Sequence, residues 1–149
     1  MTKFIRFFPA ILLVIYIAIK VTIYAQGDTD GGGEYVPTSA QRALLHPVQE
    51  VLKNHPDAAE EFTNLFYGLS VVVIADSTIL KSTDDVRRAH NNAGAVAIQV
   101  GEIPRIPGFS GAVDSFLAAE IGTDNVPLDA AKRNQIGDAF KALSWAAKQ

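Results

Sequence analysis

The run from Phe4 to Ala25, FIRFFPAILLVIYIAIKVTIYA, constrains this chain more than any other part of it. It approaches the roughly 20 apolar residues that a helix needs to cross a bilayer core at about 1.5 Å of rise per residue. Between Phe7 and Ile19 no charged residue relieves any face, which argues against a core helix of a soluble protein. Lys20 lies near enough to the end for its four-carbon stem to carry the ammonium to the headgroups. Pro9 falls in the first turns, where its missing N–H costs little, and Tyr24 suits the interface. The sequence therefore predicts a single N-terminal transmembrane helix over residues 1–25, with the lipid bilayer as partner through residues 4–25.

The alternative is a cleavable secretion signal, with Met1 to Arg6 as its charged region, Phe7 to Ile19 as its apolar region and cleavage near Ala25. The run is longer than the ~7 to 15 apolar residues usual in a signal, and Lys20 and Tyr24 sit poorly in a small-residue cleavage region, so the retained anchor is favoured. Lys3 and Arg6 precede the span while Asp28, Asp30 and Glu34 follow it. Basic residues stay on the cytoplasmic side. A single-pass topology follows, with the amino terminus cytoplasmic and the C-terminal domain outside, or a secreted or periplasmic domain if the leader is cut.

Setting aside Lys3, Arg6 and Lys20, ten of the 13 basic side chains face all 16 acidic ones from Gln26 onward, a net charge of −6. That balance disfavours nucleic acid and anionic lipid as partners of the exported part. With no cysteine in the chain, an exported domain depends on its apolar core rather than on disulfides.

Residues 26–38 combine three consecutive glycines with acids and Pro37. Such a composition buries little and is expected to act as a flexible tether. The remaining residues, 39–149, have the length of one domain. Their apolar spacing predicts an all-α fold, a small irregular bundle of four or five helices. Ser39 is expected to cap the first helix, with Leu44, Leu45, Val48, Val51 and Leu52 on one face. Pro47 is expected either to kink that helix or to start a short second piece, and the pairs His46-Pro47 and His55-Pro56 read as two helix starts. A central helix from Pro56 to about Asp76 carries Phe62, Leu65, Phe66, Leu69, Val72 and Val73, its arc broadened by Tyr67, Val71 and Ile74. Val71 to Ile74 would also suit a buried strand, but no second alternating segment offers it a partner. Thr83 is expected to cap a third helix with a narrow stripe of Val86, Ala89, Ala93, Ala97 and Val100, and Gly94 beside it would permit a close crossing. Ser110 is expected to cap a fourth, beginning near Gly111 and closed by Gly122. Asp129 caps the last, whose inner face is Ile136, Ala139, Phe140, Leu143 and Ala147.

Chemistry is sparse in this pattern. His46, His55 and His90 lack the spacing of a zinc motif and read as helix-terminal or surface residues, so neither a metal nor a cofactor is expected. Gly108 to Gly111 lacks the full G-x-S-x-G spacing of a nucleophile turn. Glu60, Glu61 and Asp76 are the acid or base candidates, although Asp76 in an Asp-Ser-Thr sequence reads foremost as a turn former. Trp145 falls out of phase with the inner face of the last helix, which suggests either a second core contact or a docking surface. With Ile103, Arg105, Ile106 and Phe109 of the IPRIPGF loop it makes up the interaction candidates. The expected function is a membrane-anchored, non-enzymatic interaction or scaffolding role with a protein partner. The alternatives are an extracytoplasmic enzyme acting on cell-wall or similar polymer and a single-span lysis accessory protein.

Overall fold

The computed structural model describes residues 34–75 and 78–149. The apolar run, residues 26–33 and Asp76 lie outside the described residues. Within them the chain forms five α-helices and one 3-10 turn: α1 over Ser39–Leu52, the turn over Pro56–Ala58, α2 over Ala59–Ala75, α3 over Thr83–Gln99, α4 over Phe109–Ile121 and α5 over Ala130–Lys148. The fold is all-helical, and the run Val71 to Ile74 is helix, not strand.

Helix α2 lies antiparallel against α5, and their contacts set the register. Ser144 donates its hydroxyl to the Thr63 carbonyl at 2.8 Å. One helical segment further on, Gly137 faces Ser70 and Ile74. At the far end Arg133 donates to the Val73 carbonyl at 3.1 Å and to the Leu80 carbonyl. Phe62, Phe66, Leu69 and Val73 from α2 and Ile136, Phe140 and Leu143 from α5 are fully buried in this seam. Each such side chain contributes about 1.5–3 kcal/mol relative to exposure. The span Pro56–Ala75 is long and apolar enough to cross a membrane by length and composition, and these core contacts are where its largest apolar side chains lie. Tyr67 and Ile74, by contrast, stand at the solvent edge.

Helix α1 packs Leu45, Val48 and Leu52 inward while Leu44 faces out. It is continuous through Pro47, so His46-Pro47 is no helix start. Ala43 and Pro47 are both exposed, which leaves the carbonyl that Pro47 cannot serve open to water. Pro56 does open a helical segment, with His55 ahead of it. The cap of α1 is Thr38 rather than Ser39: its hydroxyl accepts from the Gln41 N–H at 3.1 Å, and the Gln41 side chain accepts from the Thr38 N–H at 3.0 Å. This reciprocal pair satisfies two donors at once.

Helix α3 is capped by Ser82, one residue before the expected Thr83. Thr83 is fully buried, and its hydroxyl is engaged elsewhere, donating to the Asp124 carbonyl at 2.8 Å and accepting from the Val126 N–H at 3.0 Å. The backbones of Thr83 and Leu128 add bonds to Val126 and Lys81. Together these fasten the start of α3 to the loop between α4 and α5. Asp85 accepts from the Lys81 and Ser82 N–H groups at 2.9 and 3.1 Å. Burial alone would push its carboxyl up, but these donors and Arg88 hold it below its usual range.

The inner stripe of α3 is Val86, Ala89, Ala93, Val96 and Ala97, whereas Val100 is exposed. Gly101, at φ +79°, ends the helix by sending the Glu102 and Gly101 N–H groups back to the Ala97 and Ile98 carbonyls, a Schellman arrangement that leaves Val100 outside. Gly94 does not mark a close crossing, since a Cβ there would meet nothing within 4 Å. Helix α4 begins at Phe109 behind a left-handed Gly108, two residues before the expected start at Gly111, and Ser110 does not cap it. Gly122 closes α4 at φ +80° and Asp129 caps α5, accepting from the Lys132 N–H at 2.7 Å.

Candidate functional site

The interaction candidates separate into two places. In the IPRIPGF loop, Ile103 and Ile106 are buried, and Phe109 lies with its ring centroid 4.5 Å from that of Phe62 and 6.1 Å from that of Phe66. Pro104, Arg105, Pro107 and Gly108 are exposed there. The apolar members of this loop thus belong to the core, and the left-handed turn at Gly108 delivers Phe109 to it.

Trp145 is half-buried at the edge of the core. The Arg42 guanidinium lies over its ring, 5.9 Å from the centroid, within range of a cation–π contact. Arg42 is itself fixed by donating to the Pro37 carbonyl at 3.1 Å. The described chain enters beside this ring. Glu34 pairs with Lys148 at 3.1 Å, both exposed. Tyr35 donates to the Gln41 side chain at 3.0 Å, and Gln41 in turn donates to Glu120 at 3.1 Å. Burial pushes the Tyr35 phenol up, with the Gln41 bond opposing and the charges of Asp138 and Glu120 adding to the rise. Val36, between these fixed residues, is 64% exposed. The last residues of the 26–38 stretch are therefore laid onto α1 and α5, which composition alone does not reveal.

Comparison with known proteins is empty: no family model, curated protein or solved structure matches this chain. Residue chemistry alone carries the functional reading.

Asp76 lies outside the described residues, so the acid and base candidates among them are Glu60 and Glu61, both in the first turn of the helix Ala59–Ala75. Among the described residues no three His, Asp or Glu side chains are grouped to hold a metal ion.

His90 is the residue whose setting the sequence reading missed. It is neither a helix-terminal nor a surface group: its ring sits 6.2 Å from that of Phe66 and 5.9 Å from that of Phe140. Part of the residue reaches solvent, but Nδ1 is buried without a hydrogen-bond partner. Burial lowers its pKa, and the carboxylate of Asp114 on α4 works against that. The signal was present in the spacing, since His90 follows Val86 by four and precedes Ala93 by three, which puts it on the inner stripe. Small alanines on either side leave room for an imidazole.

Proposed function

We propose that this protein is a membrane-anchored, non-enzymatic interaction module, in which residues 4–25 span the bilayer and a bundle of five helices is held outside. The observation that supports it is the apolar run with Lys3 and Arg6 before it and Asp28, Asp30 and Glu34 after it. The contact surface of the domain is the edge around Trp145 and Arg42, where an indole and a guanidinium are presented together beside the point of chain entry. Tryptophan and arginine are the side chains most enriched at binding hot spots.

The test uses the absence of cysteine from the sequence. Full-length variants with Thr2→Cys or Thr123→Cys, the latter exposed in the α4–α5 loop, are treated in intact cells with a membrane-impermeant maleimide. Labelling of Thr123→Cys alone supports the anchored topology. Labelling of Thr2→Cys alone, or of neither until the cells are lysed, overturns it.

A further inference from the structure

The same edge faces a definite neighbour once the length of the connecting chain is considered. Eight residues, 26–33, separate Ala25 from Glu34. Whatever their conformation, eight residues span at most about 28 Å. A domain of this size has a radius of gyration of about 13 Å, which makes it roughly 34 Å across. The link is thus shorter than the domain is wide, so Glu34 cannot stand at the pole of the domain farthest from the bilayer, and orientations that bring its side toward the headgroups are favoured.

That side has the chemistry of an interfacial surface. Glu34 is tied to Lys148 at the end of α5, so the point of attachment is fixed on the domain. Around it stand Val36, 64% exposed, the half-buried Tyr35 and Trp145, and Arg42 over the indole. Tryptophan and tyrosine concentrate at the headgroup level because one end of each is apolar and the other polar. Arginine places its stem on apolar surface and its charge in the polar layer. The Glu34–Lys148 pair balances its own charges, so the surface needs no anionic lipid.

We infer that the edge formed by Tyr35, Val36, Arg42 and Trp145 rests in the headgroup layer of the bilayer that anchors the chain, fixing the orientation of the helical domain on the membrane. This rests on the anchored reading above and assigns the contact edge proposed there to the bilayer in place of a protein partner. Val36 enters the interface and Trp145 lies at its boundary.

The sequence contains one tryptophan, so fluorescence reports on this edge alone. The full chain is reconstituted into phosphatidylcholine vesicles, with and without lipids brominated near the headgroup, and probed with aqueous iodide. The expected result is co-flotation with the vesicles, a blue-shifted Trp145 emission, loss of emission with brominated lipid and protection from iodide. Val36→Glu, a change at an exposed position, should reverse the lipid quenching while co-flotation persists.

Co-flotation with Trp145 open to iodide and indifferent to brominated lipid overturns the inference and leaves the anchored reading standing, with this edge free for a protein partner. Protection from iodide without lipid quenching, growing with the protein-to-lipid ratio, also overturns it and identifies a second copy as the occupant. Failure to float with the vesicles overturns both readings.

Discussion

Gly137 of α5 lies directly beneath Ile74 of α2: a Cβ built on the glycine would fall 2.5 Å from both Cγ1 and Cδ1 of the isoleucine. The same Cβ would stand 3.5 Å from the Ser70 carbonyl, an ordinary contact. The obstacle to a side chain at position 137 is therefore Ile74 and not the backbone, and the glycine leaves room for Ile74 at the solvent edge of the α2–α5 seam.

This pair predicts a sign reversal. Gly137→Ala in the natural background forces Ile74 from its position and costs about 1–2 kcal/mol of stability. With Ile74→Ala present, the obstacle is gone and Gly137→Ala gains up to about 1 kcal/mol from helix propensity. A double-mutant cycle by urea unfolding reads both. Equal effects of Gly137→Ala in the two backgrounds would contradict this contact.

His90 predicts a pH dependence. Burial holds its folded pKa below the ordinary value of 6.5, with Asp114 opposing, so the unfolded chain takes up this proton first as pH falls. The stability is fully present above about pH 6.5 and is lost below it, by at most about 1.4 kcal/mol per pH unit for the one proton. Asp85, held below 3.8, contributes stability that is present above that value and lost only in more acid solution. Denaturant unfolding between pH 7 and 5 should show a decline that His90→Leu removes. An unchanged decline in that variant would assign it to other groups.

Thr83 predicts a cost out of proportion to its size. Thr83→Val keeps the shape of the side chain but removes the acceptor of the Val126 N–H and the donor to the Asp124 carbonyl. Losing these two part-buried hydrogen bonds costs about 0.5–1.5 kcal/mol each. Amide hydrogen exchange at Val126 should accelerate in step with the loss of global stability. Wild-type stability and protection in Thr83→Val would show that the clasp is unimportant.

Much of the described architecture was legible in spacing. The inner faces of α2 and α5 follow from Phe62, Phe66, Leu69 and Val73 and from Ile136, Phe140 and Leu143, because long periodic faces of large side chains leave little choice. The errors fall where a local rule met a distant partner. Thr83 is a good capping residue by type, but its hydroxyl serves a loop some forty residues away, and the cap passes to Ser82. Ser110 is displaced as a cap because Gly108 turns Phe109 into the core. Pro47 is tolerated within α1 because its unserved carbonyl faces water. The candidate edge was half visible: Trp145 stood out by its phase, whereas Arg42 above its ring depends on how α1 meets α5, which no local pattern specifies.

The most direct measurement of the central claim is alkaline carbonate extraction of membranes from cells expressing the full chain, with the intact mass of the recovered protein. An uncut chain of 16.0 kDa in the membrane pellet is the predicted result. An uncut chain in the soluble cytosolic fraction, or a soluble chain shortened to a start near Gln26, would contradict the anchored account.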